Sequence, residues 1–214
     1  MAIHIKNAQV VVRAPKGVSR RFIDSFVHSK SAWIAHQLNK QLSAQGDKPR
    51  PLQDSKVMLF GEHRPLDIVM QSKSAVSVTN DLVRIMVSHR VSNVHTKAKQ
   101  LLLEELAAQL QGYLDTRLPY WQDKMGVRVS DYKVRVYQRR WGSCNQRAEL
   151  SFNTLLVGAP QWVIDYVIVH ELAHIRYMNH SSTFWQWVVT HYPRTEDAKA
   201  WLKENGSKLD LQFE

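Results

Sequence analysis

Residues 161–180 read QWVIDYVIVHELAHIRYMNH. An apolar run, VIDYVIV, passes without a break into a segment carrying three histidines and a glutamate. A helix that is apolar on most of its sides belongs inside a core. Ionisable groups at the end of such a helix must be satisfied there, because unpaired buried polar groups are costly. The chain must therefore fold around this helix and give its polar end a partner.

His170 and His174 are four residues apart, so their imidazoles lie on one helix face, a turn apart. Glu171 follows the first histidine and projects beside an ion held by the pair. Its carboxylate can there take a proton from a water that the ion activates. Catalytic zinc takes three protein ligands and keeps one position open. His180 can be the third if the chain leaves the helix within about one turn. Asn179 tolerates the left-handed conformation that such a bend needs. The other arrangement takes an acidic ligand from a later helix, and Glu196 and Asp197 lie at a suitable distance. Imidazole suits zinc and the loop is short, so His180 is the expected ligand. One protease class has this histidine spacing with a glycine three residues after the second histidine and a methionine turn downstream. Here Tyr177 holds that position and no methionine follows Met178. A structural helix whose histidines are satisfied by backbone or solvent is the alternative to a metal site.

Upstream, residues 3–13 are β-branched and read as one strand, and Ser19 caps a helix carrying Phe22, Ile23, Phe26 and Val27. A second helix covers about 29–42. The polar segment SAQGDKPRPLQDS (43–55) reads as a linker. The runs KVMLF, PLDIVM, AVSVT and LVRIMVS suggest a small antiparallel meander, with turns at Gly61-Glu62 and Asn80-Asp81. From about 95 to 118 the period is helical, with Leu102, Leu106, Leu110 and Leu114 in one row and Pro119 as the stop. Residues 129–138 alternate as a strand, with 148–152 as its hairpin partner. Three helices follow: 161–179, 182–191 and 196–205, the last ended by Gly206. The expected fold class is α+β, with the histidine helix packed on a small antiparallel sheet. Residues 1–95 form a basic, β-rich N-terminal region and 96–214 the core.

Charge divides along the same line. Residues 1–100 hold 16 Lys and Arg against 6 Asp and Glu, while residues 101–214 hold 13 of each. A basic half can meet nucleic acid, or it can be a solvated face. Cys144 is the only cysteine, so no intrachain disulfide forms, which suits a reducing cytoplasm. No apolar run reaches the roughly 20 residues that cross a bilayer, so no membrane partner is expected.

The segments RRWGSC (139–144), LSFNTLL (150–156), IDYVIVHELAHIRYMNHSSTFWQWV (164–188) and KAWLKENG (199–206) resemble the YgjP-like metallopeptidases, relatives of the WLM and SprT-like minimal zinc proteases. KSAWI (30–34) and LFGEHRPLDIV (59–69) fit the same resemblance. It implies a zincin core with one zinc ion on His170, His174 and His180, and Glu171 as general base. The implied partner is a protein or peptide substrate.

The WGSC segment also has a reading of its own. In such enzymes a substrate backbone can add as a strand along a sheet edge near the metal. Gly142 would let another backbone approach, Arg140 could meet a substrate carbonyl or carboxylate, and Trp141 could wall the cleft. Equally, Trp141 could be core and Gly142 only a turn. Phe184, Trp185 and Trp187 read as packing behind the site, and Asn153 as a hydrogen-bond partner for a ligand. His191 and Tyr192 are candidate oxyanion donors. The leading expectation is a zinc-dependent metallopeptidase. The second is a nucleic-acid- or ribosome-associated protein whose metal is structural, which needs a fourth ligand such as Cys144. A third combines them, with the basic half recruiting a protease to nucleic-acid-bound proteins.

Overall fold

The computed structural model describes residues 1–6, 9–46 and 48–213. Residues 7–8 of the expected first strand and Asp47 of the expected linker lie outside them. Two compact units form, Met1–Lys48 and Pro49–Glu214. The division therefore falls inside the polar linker, not at residue 95.

In the first unit, β1 (Ala2–Lys6) and β2 (Gln9–Arg13) pair antiparallel, with Ala2 opposite Arg13. A hairpin thus replaces the single expected strand. Helix α1 (Arg20–Ser29) starts where the Ser19 side chain accepts the Phe22 N–H, and α2 (Ser31–Gly46) follows.

The second unit opens with α3 (Pro51–Asp54), which turns part of the expected linker into helix. Strands β3 (Lys56–Leu59), β4 (Glu62–Gln71), β5 (Ala75–Val78) and β6 (Val83–Ser88) make a sheet in the order β3-β4-β6-β5. This is not a meander: β4 and β6 run parallel, Leu66 beside Val83. The tight turn at Asn80-Asp81 pairs β5 with β6, so β6 enters between β4 and β5. Val83, Ile85 and Val87 are buried and join the core that α4 (Val94–Met125) completes, which ties this sheet to the helices behind it.

Helix α4 passes straight through Pro119. Proline inside a helix costs about 3 kcal/mol through its missing N–H and a clash one turn back. Leu118, Trp121 and Met125 are all buried beyond or beside it, at about 1.5–3 kcal/mol each. Burial wins, and the helix ends instead at Gly126, whose φ of 64° is left-handed.

The third sheet holds β7 (Asp131–Arg135), β8 (Gly142–Cys144) and β9 (Glu149–Asn153), in the order β7-β9-β8. β9 is parallel to β7 and antiparallel to β8, so the hairpin partner of β9 is the GSC segment and β8 is an edge strand. A short 3-10 helix, Thr154–Gly158, leads to α5 (Gln161–Arg176). Helix α5 lies against α4, β8, α6 (Ser182–His191) and α7 (Thr195–Leu209). Its first turns are pinned to α4 by Asp165, which accepts the Arg117 Nε–H at 3.0 Å and lies 3.0 Å from the Tyr113 hydroxyl. Helix α7 continues past Gly206 because buried Leu209 lies one turn further on. The fold is α+β.

Candidate metal centre

Helix α5 ends at Arg176, earlier than the pattern suggested. Tyr177 takes extended dihedrals while its N–H still bonds to Ala173, and its carbonyl turns back to within 3.1 Å of His174 Nδ1. The exit is therefore made by Tyr177. Asn179 is not among the residues with positive φ, so the expected left-handed bend is not used. Ser181 then caps α6 by accepting the Phe184 N–H, and His180 is held at the junction.

The result is a convergence of three imidazoles. Nε2 of His180 lies 3.1 Å from Nε2 of His170, and one ring nitrogen from each of His170, His174 and His180 falls within 4.8 Å of the others. Two nitrogens bound tetrahedrally to zinc at about 2.0–2.1 Å would sit roughly 3.4 Å apart, so the donor set suits such an ion. Protonation agrees. Burial, helped by the neighbouring histidines and Lys199, pulls His170 down to about 3, and burial also lowers His174. Metal ligation requires neutral imidazole. The Tyr177 carbonyl accepts from His174 Nδ1–H, which leaves Nε2 as the free donor. Nδ1 of His170 is buried without a hydrogen-bond partner.

Aromatic rings fix the imidazoles in place. Phe184 is fully buried, stacks on His174 at 4.6 Å, and meets His170 and His180 edge-on at 5.0 and 4.8 Å. Trp185 stacks on His180, with Lys199 Nζ 4.5 Å from its ring centre. Trp187 does not serve the site: it packs against Tyr177, Arg176 and His191.

Glu171 is 5% exposed and stands outside the histidine group. Burial pushes its carboxyl up to about 8, with Arg140 pulling the other way. Gly142 of β8 passes over it so closely that a Cβ there would lie 2.6 Å from Glu171 Cγ and Oε1. The close approach expected at Gly142 is thus made first by Glu171 itself. Trp141 packs its ring on α7, where a Cβ at Gly206 would come within 3.3 Å of Cζ2.

Several expected partners point elsewhere. Asn153 reaches no histidine; its amide donates to the carbonyls of Tyr137 and Arg140 at 3.0 Å each, stapling the loop that delivers Trp141 and Gly142. His191 bonds through Nδ1 to the Trp187 carbonyl, and the Tyr192 hydroxyl donates to the Trp162 carbonyl, so the Tyr192 proton is committed away from the histidine group. Glu196 pairs with Lys199 and Asp197 with Arg194; neither joins the histidines. Cys144, whose thiol burial and Glu171 push up to about 11, is not part of the group either. Among the described residues a fourth protein ligand is therefore lacking, which argues against a closed structural zinc site. Sequence reasoning missed Tyr166, buried one turn before His170 with ring centres 5.9 Å apart. Its i, i+4 spacing from His170 was the available signal.

A family model described as YgjP-like, metallopeptidase domain, matches residues 1–205. The chain belongs to the YgjP-like metallopeptidase family. A solved structure, the metallopeptidase zymogen abylysin of Pyrococcus abyssi, is 18% identical, with a TM-score of 0.41. The match covers 44% of this YgjP-like chain and 96% of abylysin. No curated protein matches. Family membership supports peptidase activity and a peptide or protein substrate, and it lends nothing to nucleic-acid contact. Among the described residues no helix is long and apolar enough to cross a membrane.

Proposed function

We propose that this YgjP-like chain is a cytoplasmic zinc-dependent metallopeptidase in which His170, His174 and His180 hold one zinc ion and Glu171 is the general base. The observation that carries the reading is the convergence of three imidazole nitrogens within 4.8 Å, beside a buried carboxyl that is not one of them. A zinc ion bound there supplies Lewis acidity toward water and the scissile carbonyl. Glu171 accepts the proton of the attacking water at a carboxylate oxygen and passes it to the leaving amine. Zinc beside the carboxyl favours its ionised form against the rise that burial imposes, so the group can both take and return the proton. Phe184 and Trp185 keep the imidazoles oriented and exclude water from behind them.

The substrate backbone lies along the free edge of β8. Gly142, having no side chain, lets Glu171 sit directly beneath that strand, Arg140 lines the pocket beside it, and Trp141 supports it by packing on Gly206. The test is metal content and hydrolysis measured together. Zinc-loaded wild type should carry one ion per chain and cut members of a quenched-fluorescent peptide library, and His174→Ala should lose both. Full zinc content with unchanged hydrolysis in His174→Ala would reject the assignment.

A further inference from the structure

β8 presents two faces. Gly142 and Cys144 look toward Glu171, since a Cβ at the first would touch it and the thiol of the second feels its charge. Ser143, between them, must look the other way. On that outer face a pocket of about 250 Å³ is lined by Ser143 with Lys133, Arg135, Tyr137, Arg140 and Ser151. It lies one strand residue from the catalytic carboxyl, and of its lining only Arg140 entered the reading above.

The pocket's charge is sorted along its length. Its two acids, Asp131 and Glu149, form one rung at the far end. Asp131 is 3.5 Å from Lys133, and Glu149 accepts the Asn145 amide at 2.7 Å. Arg135 stands four residues further along β7, roughly 13 Å away, on the rung of Asn153 at the Gly142 end of the sheet. Arg135 and Arg140 sit 5.5 and 5.6 Å from the ring centre of Tyr137. Arg135 donates to Ser151 Oγ at 3.1 Å, but among the described residues neither guanidinium has a carboxylate within ion-pair distance. Arg140 attracts Glu171 at longer range, but two guanidiniums gathered around one ring, next to hydroxyls and with no carboxylate in ion-pair contact, suit a carboxylate.

We infer that this pocket is a specificity subsite that takes a substrate carboxylate beside the scissile bond, with Arg135 and Arg140 as its recognition residues. The inference rests on the peptidase reading, because a strand added along β8 alternates its side chains between the Glu171 side and the pocket side. The carboxylate comes either from an Asp or Glu side chain or from the substrate's own C-terminus. Both offer the same planar anion.

Binding separates this inference from turnover. Zinc-loaded Glu171→Gln protein is titrated with fluorescent octapeptides carrying a central Glu or Gln, each with a free or an amidated C-terminus. The carboxylate-bearing peptide should bind about tenfold more tightly than its neutral counterpart, an advantage that shrinks with added salt. The side-chain pair and the C-terminal pair show which source is used. Arg135→Ala should erase the advantage, and Arg135→Glu should transfer it to a central Lys. Equal binding of acidic and neutral peptides, including none by either, overturns the subsite, as does an advantage that survives Arg135→Ala. Wild-type hydrolysis of the same peptides reads the peptidase proposal separately: discrimination in binding with no cleavage of any peptide would reject that reading and leave the subsite standing.

Discussion

A Cβ placed on Gly142 would lie 2.6 Å from Cγ and Oε1 of Glu171, so edge strand β8 and the carboxyl of α5 occupy adjoining space with none left over. Gly142→Ala must therefore push the carboxyl aside or lift the strand. The Glu171 side chain can rotate, so the penalty falls on placement more than on folding. We expect kcat/KM to drop by about ten- to a hundredfold, about 1.4–2.7 kcal/mol of transition-state stabilisation. Zinc content should stay unchanged and Tm should shift by only a few degrees. Steady-state kinetics beside metal analysis checks this.

His180 reaches the other two histidines from outside α5, on a loop held by the Ser181 cap. His180→Ala removes one donor of three but leaves the helix pair in place. Zinc affinity should fall by a hundredfold or more while the fold persists, as read by competition with a chromogenic chelator. Unaltered affinity would return the third position to Glu196 or Asp197.

Asp165 holds α5 to α4 through Arg117 and Tyr113. The Arg117 side chain is about a third exposed, so solvent screening lowers what a fully buried pair would lose. Asp165→Asn should cost about 2 kcal/mol, or roughly 5 °C in Tm for a unit of this size. Thermal unfolding followed by circular dichroism measures it.

The Glu171 carboxyl, ordinarily near 4.5, is pushed by burial to about 8 in the folded chain. Between those values the unfolded chain has released a proton that the folded chain keeps, so νU is smaller than νN and stability falls as pH rises. The favourable contribution is complete below about pH 4.5 and is lost on the way to pH 8. Metal-free wild type should thus lose stability relative to metal-free Glu171→Gln between pH 5 and pH 8. The His170 contribution cancels in that comparison. Zinc beside the carboxyl favours the ionised form and should flatten the difference. Paired denaturant titrations across this range test the sign.

What could be read before the structure was whatever depends on neighbours within one or two turns. The four-residue spacing of His170 and His174, the cap at Ser19 and the strand run LVRIMVS are local, and they appear where expected. Strand partners are not local. LVRIMVS shows a buried face but not that β6 enters parallel to β4, and AELSF gives no sign that GSC is its antiparallel neighbour. Stop signals failed where burial outweighed propensity, at Pro119 before Trp121 and Met125 and at Gly206 before Leu209. At the site, Asn153 was singled out by position and has a different task, because its hydrogen bonds go to a loop sixteen residues earlier. Tyr166 was hidden inside an apolar run, where an aromatic residue reads as packing.

In the proposed mechanism Glu171 acts on a proton and not on the metal. Glu171→Gln keeps the side chain's length and removes its basicity, so zinc measured by mass spectrometry should remain at one ion per chain. Hydrolysis of the peptide library should fall by at least a thousandfold, roughly 4 kcal/mol. A variant that holds zinc and still cuts at near wild-type rate would contradict the mechanism. Loss of zinc in Glu171→Gln would instead make Glu171 a ligand and contradict the division of labour between the three histidines and the carboxyl.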